Sequence, residues 1–257
     1  MALPDGLSVT TFFGGAMLLV GGIVLLVSAR YIWRATAILR ATDRETLDGV
    51  SPNALVRVAG TVAASDDDDD DDVLVAPFSG VDCVALRYQI EERRLSFLYL
   101  FPWYVTVHEA TAAVPFTVLT ESGSVSVDEP VRTVALSSHV VETTRATAEP
   151  TERITTFERD HEAIPASTRW QHSPGFLAPL ARALSLGTRR YSEQRAAVGA
   201  DVTVVGHITP DGAGLDPIVV SDGSPIATVG RMAKTSIAGV LIGVIGLLLG
   251  YFLLFLT

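Results

Sequence analysis

The chain carries its apolar residues in two contrasting rhythms, continuous at the ends and alternating through the middle. From Leu7 to Ala29 the run LSVTTFFGGAMLLVGGIVLLVSA holds no charged residue. At about 1.5 Å per helical residue it is long enough to cross a hydrocarbon layer of about 30 Å with some tilt. A second charge-free run, IAGVLIGVIGLLLGYFLLFL, extends from Ile237 to Leu256. Charge-free stretches of this length are far more characteristic of membrane helices than of buried helices in soluble proteins. Within the second run Gly239, Gly243, Gly246 and Gly250 lay a smooth stripe down one helical face, and Gly14, Gly15, Gly21 and Gly22 offer small positions in the first. The stripes leave two arrangements open, packing within one chain or a homodimer.

Between these runs the pattern changes twice. YIWRATAILRATDRETLD, Tyr31 to Asp48, spaces its apolar residues by three and four, which predicts a juxtamembrane helix ended by Gly49 and Ser51-Pro52. Beyond it the period becomes two, as in LVRVAGTV (Leu55 to Val62) and VALRYQIEE (Val84 to Glu92), the signature of strands. VPFTVLTESGSVSVDE predicts a hairpin turning at Glu121-Ser122-Gly123, and DVTVVGHI and PIVVS predict strands before the second apolar run. A short helix is expected over Phe176 to Leu186. The fold class is therefore two transmembrane α-helices flanking a mainly β (α+β) soluble domain. Its segments are 1–30, first membrane helix; 31–50, juxtamembrane helix; 51–230, strand-rich domain; and 231–257, second membrane helix.

Charge sets orientation. Arg30, Arg34 and Arg40 follow the first apolar run and Arg231 and Lys234 precede the second, so the positive-inside bias places the domain in the cytoplasm and both termini outside. Val27-Ser28-Ala29 has the small-residue spacing of a signal-peptidase site, but no basic n-region precedes it and arginines follow it. Net charge is −10, from 17 Asp and 12 Glu against 18 Arg and one Lys. Such Asp-rich, Lys-poor usage suits a halophilic archaeon with a salty cytoplasm, and it argues against nucleic acid, which needs a dense basic stripe. The run Asp66 to Asp72 repels itself and is expected as a solvated loop; it lacks the alternating ligands and glycine of a calcium loop. The single cysteine, Cys83, provides neither a disulfide nor a zinc set and reads as a buried strand residue.

No nucleophile elbow, phosphate loop or dinucleotide fingerprint is present, so no catalytic, cofactor-binding or metal residue is assigned. His108-Glu109 and His161-Glu162 come nearest to acid–base pairs, yet neighbours on a strand face opposite ways, and both histidines read as surface residues. The block Leu95 to Val107, with Phe97, Tyr99, Phe101, Trp103 and Tyr104, reads first as core filling and second as a contact at lipid headgroup level. Beside it, Tyr88, Glu91, Glu92, Arg93 and Trp103 form the candidate interaction surface.

Four stretches in order, LVAPFSGVDCVALRYQIEE, VPFTVLTESGSVSVDE, RRYSEQRAAVGADVTVVGHI and PIVVSDG, together resemble the GIDE or "beside a membrane" domain of membrane-anchored ubiquitin ligase-like proteins. The likeness covers roughly Gly60 to Ser221, and the flanking apolar runs reproduce that family's layout. Its ligase members add a C-terminal zinc-binding RING, which a chain with one cysteine cannot build. The resemblance thus implies a partner-binding portion alone. The expected function is a cytoplasmic protein-interaction domain at the bilayer, with a protein partner and the lipid bilayer itself as contacts. The alternatives are a RING-less accessory subunit of a ubiquitin-like ligase system, or an enzyme whose site is assembled only in the fold.

Overall fold

The computed structural model describes residues 9–64, 73–95, 101–127, 131, 133–165, 178–223 and 225–255. In chain order the elements begin with α1 (Val9–Arg40), β1 (Thr42–Asp43), β2 (Leu55–Ala64), β3 (Leu74–Val75), β4 (Asp82–Leu95) and β5 (Pro102–Ala113). They continue with β6 (Phe116–Leu119), β7 (Ser124–Val127), β8 (Val134–Ala135), β9 (His139–Thr144), α2 (Glu152–Asp160) and α3 (Ala178–Ala183). The last are β10 (Arg189–Ala197), β11 (Asp201–Ile208), β12 (Leu215–Ser221) and α4 (Pro225–Phe255). The chain divides into two units, one built from its two ends and one from Thr42–Asp222.

The first unit is a helix pair whose backbones meet at glycine. A β-carbon added to Gly243 would lie 3.0 Å from the Gly21 carbonyl oxygen, and one on Gly250 would lie 2.8 Å from that of Gly14. A β-carbon on Gly21 would come within 2.9 Å of the Leu247 nitrogen, and one on Gly239 would collide with the Ser28 hydroxyl. The glycine stripe of α4 therefore packs on α1 of the same chain. With no side chain to hold them apart, the two backbones come close enough for dispersion attraction to stabilise the pair. Gly15 and Gly22 have open space beside them. Both helices contain segments long and apolar enough to cross a membrane, Val9–Arg30 and Ile237–Phe255. Large apolar side chains around the pair, among them Leu19, Ile23, Leu26, Leu241, Ile245 and Leu248, are exposed.

The expected juxtamembrane helix over 31–50 is realised only to Arg40, as the last turns of α1. The chain then joins the sheet: Thr42 and Asp43 pair in parallel with Val56 and Arg57, and Asp43 closes a two-pronged ion pair with Arg57. That bond holds the Asp43 carboxyl below its ordinary pKa. Strand pairing thus overrides the helical spacing of RATDRETLD, and the β unit begins about nine residues earlier than the periodicity suggests.

The second unit contains two sheets. The larger runs β7-β6-β2-β11-β12-β8, with β1 also on β2. A bridge from Ser126 to Gly214, next to β12, brings β7 back to the far side, so the sheet curls around its own core. Val56, Val58, Val62, Phe116, Val118, Val125, Val204, Ile208 and Val220 fill that core, supplied by alternating positions of each strand. The curl needs close approaches at glycine. A β-carbon on Gly60 would strike the Leu119 carbonyl, and one on Gly206 the Asp216 carbonyl. The expected hairpin is β6–β7, closed by Thr120 N–H donating to the Gly123 carbonyl at 2.8 Å.

The smaller sheet runs β3-β4-β10-β9, with β5 beside β4. Its β4–β10 end, through Val84, Ala85 and Ala196, joins the core of the larger sheet. Strand β9 and helix α2 lie in a stretch rich in Thr, Glu and Arg, from His139 to His172, to which the sequence pattern assigns no element. The aspartate run and the centre of the aromatic block, including Phe97 and Tyr99, lie outside the described residues, as does the start of the helix expected at Phe176.

Candidate interaction surface

Strand alternation gives the smaller sheet two faces of different character. On one, Tyr88, Ile90, Tyr191 and Phe78 pack against α2 through Ile154 and Phe157, with Ile164 beside them. The rings of Phe78 meet those of Tyr88, Phe157 and Tyr191 edge-on at 5.4–5.6 Å between centroids. Within this apolar layer sit three carboxylates, each occupied by the scaffold. Glu193, fully buried, accepts the backbone N–H of Phe78 at 2.7 Å and of Ser79 at 3.1 Å, and the Ser79 hydroxyl at 2.6 Å. Arg195 pairs with its other side at 3.2 Å. This clamp fixes the turn that Gly80 makes with φ +76° before β4.

Glu158 of α2 accepts both Arg189 Nη1 at 2.7 Å and the Tyr191 hydroxyl at 2.8 Å. Burial works against the charge on Arg189, but Glu158, Tyr191 and Glu92 together more than offset it and the pKa is raised. Burial first, then Glu158, pushes the Tyr191 phenol well above its ordinary range, so Tyr191 is a permanent donor. Arg189 Nη2 also donates to the Pro165 carbonyl at 2.6 Å, tying the segment after α2 to β10. Glu92 pairs with Arg94 at 3.0 Å and faces Arg189 Nε at 3.5 Å. An open cleft of about 210 Å³ lies at the edge of this network, lined by Thr144, Arg145, Pro150, Glu158 and Arg189 among others.

The opposite face is a half-exposed ladder of charge. Glu109 holds Arg87 at 2.8 Å and Gln89 at 2.8 Å, and Arg190 pairs with Glu91 at 2.9 Å. The Arg190 guanidinium also lies 4.1 Å above the Tyr104 ring, which Arg93 approaches at 6.0 Å.

The five residues predicted as one surface are thus divided. Glu91 and Arg93 lie on the charged face. Tyr88 and Glu92 lie under or beside α2, and Glu92, 1% exposed, presents nothing to a partner. Trp103 is 58% exposed, past the reach of α2.

Alternation also separates each histidine from its neighbouring glutamate, since Glu109 takes the charged face while His108 lies beside Tyr88 with ring centroids 5.8 Å apart. The ring of His161 comes within 6.1 Å of that of His108, a proximity no local motif signals. His161 Nδ1 is 2.9 Å from the Phe157 carbonyl, and His108 Nε2 is buried without a hydrogen-bond partner among the described residues. His108 is therefore half-buried in the aromatic layer, where surface exposure was expected. Among the described residues no three His, Cys, Asp or Glu side chains converge as metal ligands. Cys83 is buried as expected, and burial, then Glu193, pushes its thiol up to about 11.

No family model, curated protein or solved structure matches the chain. The surface itself therefore supplies the functional argument. Its ionisable groups fall into two classes: buried ones that hold the aromatic layer together, and half-exposed ones in cross-strand pairs on an open sheet face. Such cross-strand pairs hold their side chains at fixed positions on the sheet face.

Proposed function

We propose that the chain is an integral membrane protein that displays a cytoplasmic interaction domain, GIDE-like in its arrangement, to a protein partner at the bilayer surface. The observation that carries this reading is the terminal helix pair. Its glycine-to-glycine contact joins the two ends of the chain, and its perimeter of exposed Leu, Ile and Phe is an energetic liability in water and a match for lipid. The β unit inserted between those ends is then tethered twice, which suits a module that holds a partner at a fixed distance from a membrane. Arg30, Arg40 and the basic residues before Ile237 favour the cytoplasmic side.

The partner-facing region is the charged face of the smaller sheet, with Arg87, Gln89, Glu91, Arg93 and Glu109. Its test is photo-crosslinking in native membranes at high salt, with a benzophenone amino acid at Arg87 and a control at Leu119 on the other sheet. An adduct formed from position 87 and absent from position 119, identified by mass spectrometry, supports the reading. Identical adducts at both positions, or none, overturns it. If the adduct is a ubiquitin-like modifier or a RING protein, the chain is an accessory subunit of such a system.

A further inference from the structure

Phe101 and Trp103, at the end of the β4–β5 ribbon, belong to neither core. Pairing of β4 with β10 ends where Arg189 opposes Glu92, and the last bonds on that side join Arg93 to Gly187 and Thr188. Beyond Arg93, β4 has β5 as its only sheet neighbour among the described residues, with Arg94 opposite Trp103 and Leu95 opposite Pro102. This two-stranded end leaves Phe101 79%, Trp103 58% and Leu95 39% exposed. Among the described residues of the β unit, Phe101 and Trp103 are the only large aromatic side chains so exposed; the others of large apolar type are scattered aliphatics such as Val75 and Leu119.

The surrounding charge is equally distinctive. In a chain of net charge −10, the fifteen residues from Arg93 to Val107 contain no Asp or Glu and begin with two arginines. Arg94 keeps 44% of its side chain exposed although Glu92 holds its Nε, and Arg190 stacks on Tyr104 at 4.1 Å. Exposed Trp and Phe, an amphipathic Tyr, and arginines that stay partly exposed, as Arg94 and Arg190 do while paired with Glu92 and Glu91, are the combination that settles at the boundary between acyl chains and phosphate headgroups. There the rings leave water while the guanidinium groups meet phosphate oxygens. A protein partner for this tip would have to supply both an apolar socket and local negative charge. A bilayer offers both continuously, and the chain joins the β unit to its two apolar helices through Ala41 on one side and a short link after Ser221 on the other.

We propose that the tip formed by Leu95, Phe101, Trp103 and the adjacent Arg93 and Arg94 is a third membrane contact, seated in the headgroup region of an anionic bilayer. This rests on the membrane reading of α1 and α4. It limits the freedom of the domain and so determines which side of the sheet faces a partner.

The test uses the full chain with Trp33→Phe and Trp170→Phe, leaving Trp103 as sole reporter, reconstituted in vesicles of phosphatidylcholine and phosphatidylglycerol. Expected are blue-shifted emission, quenching by a lipid with a nitroxide on its headgroup, weak quenching by aqueous acrylamide, and loss of lipid quenching in the further variant Phe101→Asp. Resistance of the same vesicles to alkaline carbonate extraction is scored separately. Resistant protein whose Trp103 is quenched by acrylamide and not by lipid overturns the tip contact alone. Protection from both quenchers assigns the tip to a protein contact and also overturns it. Extraction of the chain by carbonate overturns the membrane reading and the tip contact together. Wild-type circular dichroism in Phe101→Asp ensures that its loss of quenching reports the contact.

Discussion

Removing the Glu193 carboxylate is the most informative perturbation of the β unit, because one side chain holds four donors. Glu193→Ala orphans the Phe78 and Ser79 N–H groups and the Ser79 hydroxyl, and leaves Arg195 without its buried partner. Breaking a buried charge pair from one side costs about 3–5 kcal/mol, an upper range here because Arg195 keeps 22% of its side chain in water. Each stranded buried donor costs about 1–3 kcal/mol, partly counted in that figure. A loss near 4 kcal/mol is a large share of the roughly 5–15 kcal/mol that stabilises a domain. At about 2–4 °C per kcal/mol for a unit of this size, the midpoint should fall by roughly 8–16 °C. Glu193→Gln keeps an acceptor for the two N–H groups while losing the charge that meets Arg195, and should fall by roughly half as much. The assay is thermal unfolding of the full chain in mild detergent, followed by near-ultraviolet circular dichroism of the Phe78–Tyr88–Tyr191 layer. A midpoint for Glu193→Ala within about 2 °C of wild type, below the shift expected for even 1 kcal/mol, would refute the clamp.

Two further outcomes follow from the same physical terms. The Cys83 thiol is pushed up from 9.0 to about 11, so the unfolded chain loses that proton first as pH rises. Stability from this group is complete below pH 9 and is lost toward pH 11, with a slope approaching about 1.4 kcal/mol per pH unit. Alkaline urea titrations should show the extra slope in wild type and its absence in Cys83→Ala; parallel curves would contradict it. In the helix pair, Gly243→Leu places side-chain atoms where the Gly21 carbonyl lies and should cost about 1–3 kcal/mol, whereas Gly22→Leu, beside open space, should be near neutral. Equal effects in detergent melts would rule out this packing.

Both apolar helices, the β6–β7 hairpin and the strands from Leu55, Val84, Asp201 and Pro217 were legible because each obeys one local rule, continuous apolarity or alternation around a Gly-containing turn. The stretch from Ala41 to Val50 was not. Its three- and four-residue spacing suggests helix, but Asp43 finds Arg57 across the sheet, and only tertiary pairing makes that contact available. Strand β9 and helix α2 were hidden because HVVETT and ERITTFERD each bury little, Ile154 alone being enclosed in the helix. The residues named as a candidate surface fall on β4 and β5, where strand alternation divides them between faces. Residues two apart share a side, so Tyr88 and Glu92 went under α2 while Glu91 and Arg93 stayed outside. The contact of His108 with His161 joins residues far apart in sequence and leaves no local trace.

The central claim is that both terminal helices cross the membrane and hold the β unit in the cytoplasm. Cysteine labelling tests it most directly: single cysteines at Asp5, Glu121 and Thr257 in a Cys83→Ala background, exposed to a membrane-impermeant maleimide on intact cells and again after lysis. Labelling of positions 5 and 257 on intact cells, with position 121 reacting only after lysis, is the expected result. Labelling of position 121 on intact cells, or protection of either terminal position until lysis, would contradict it.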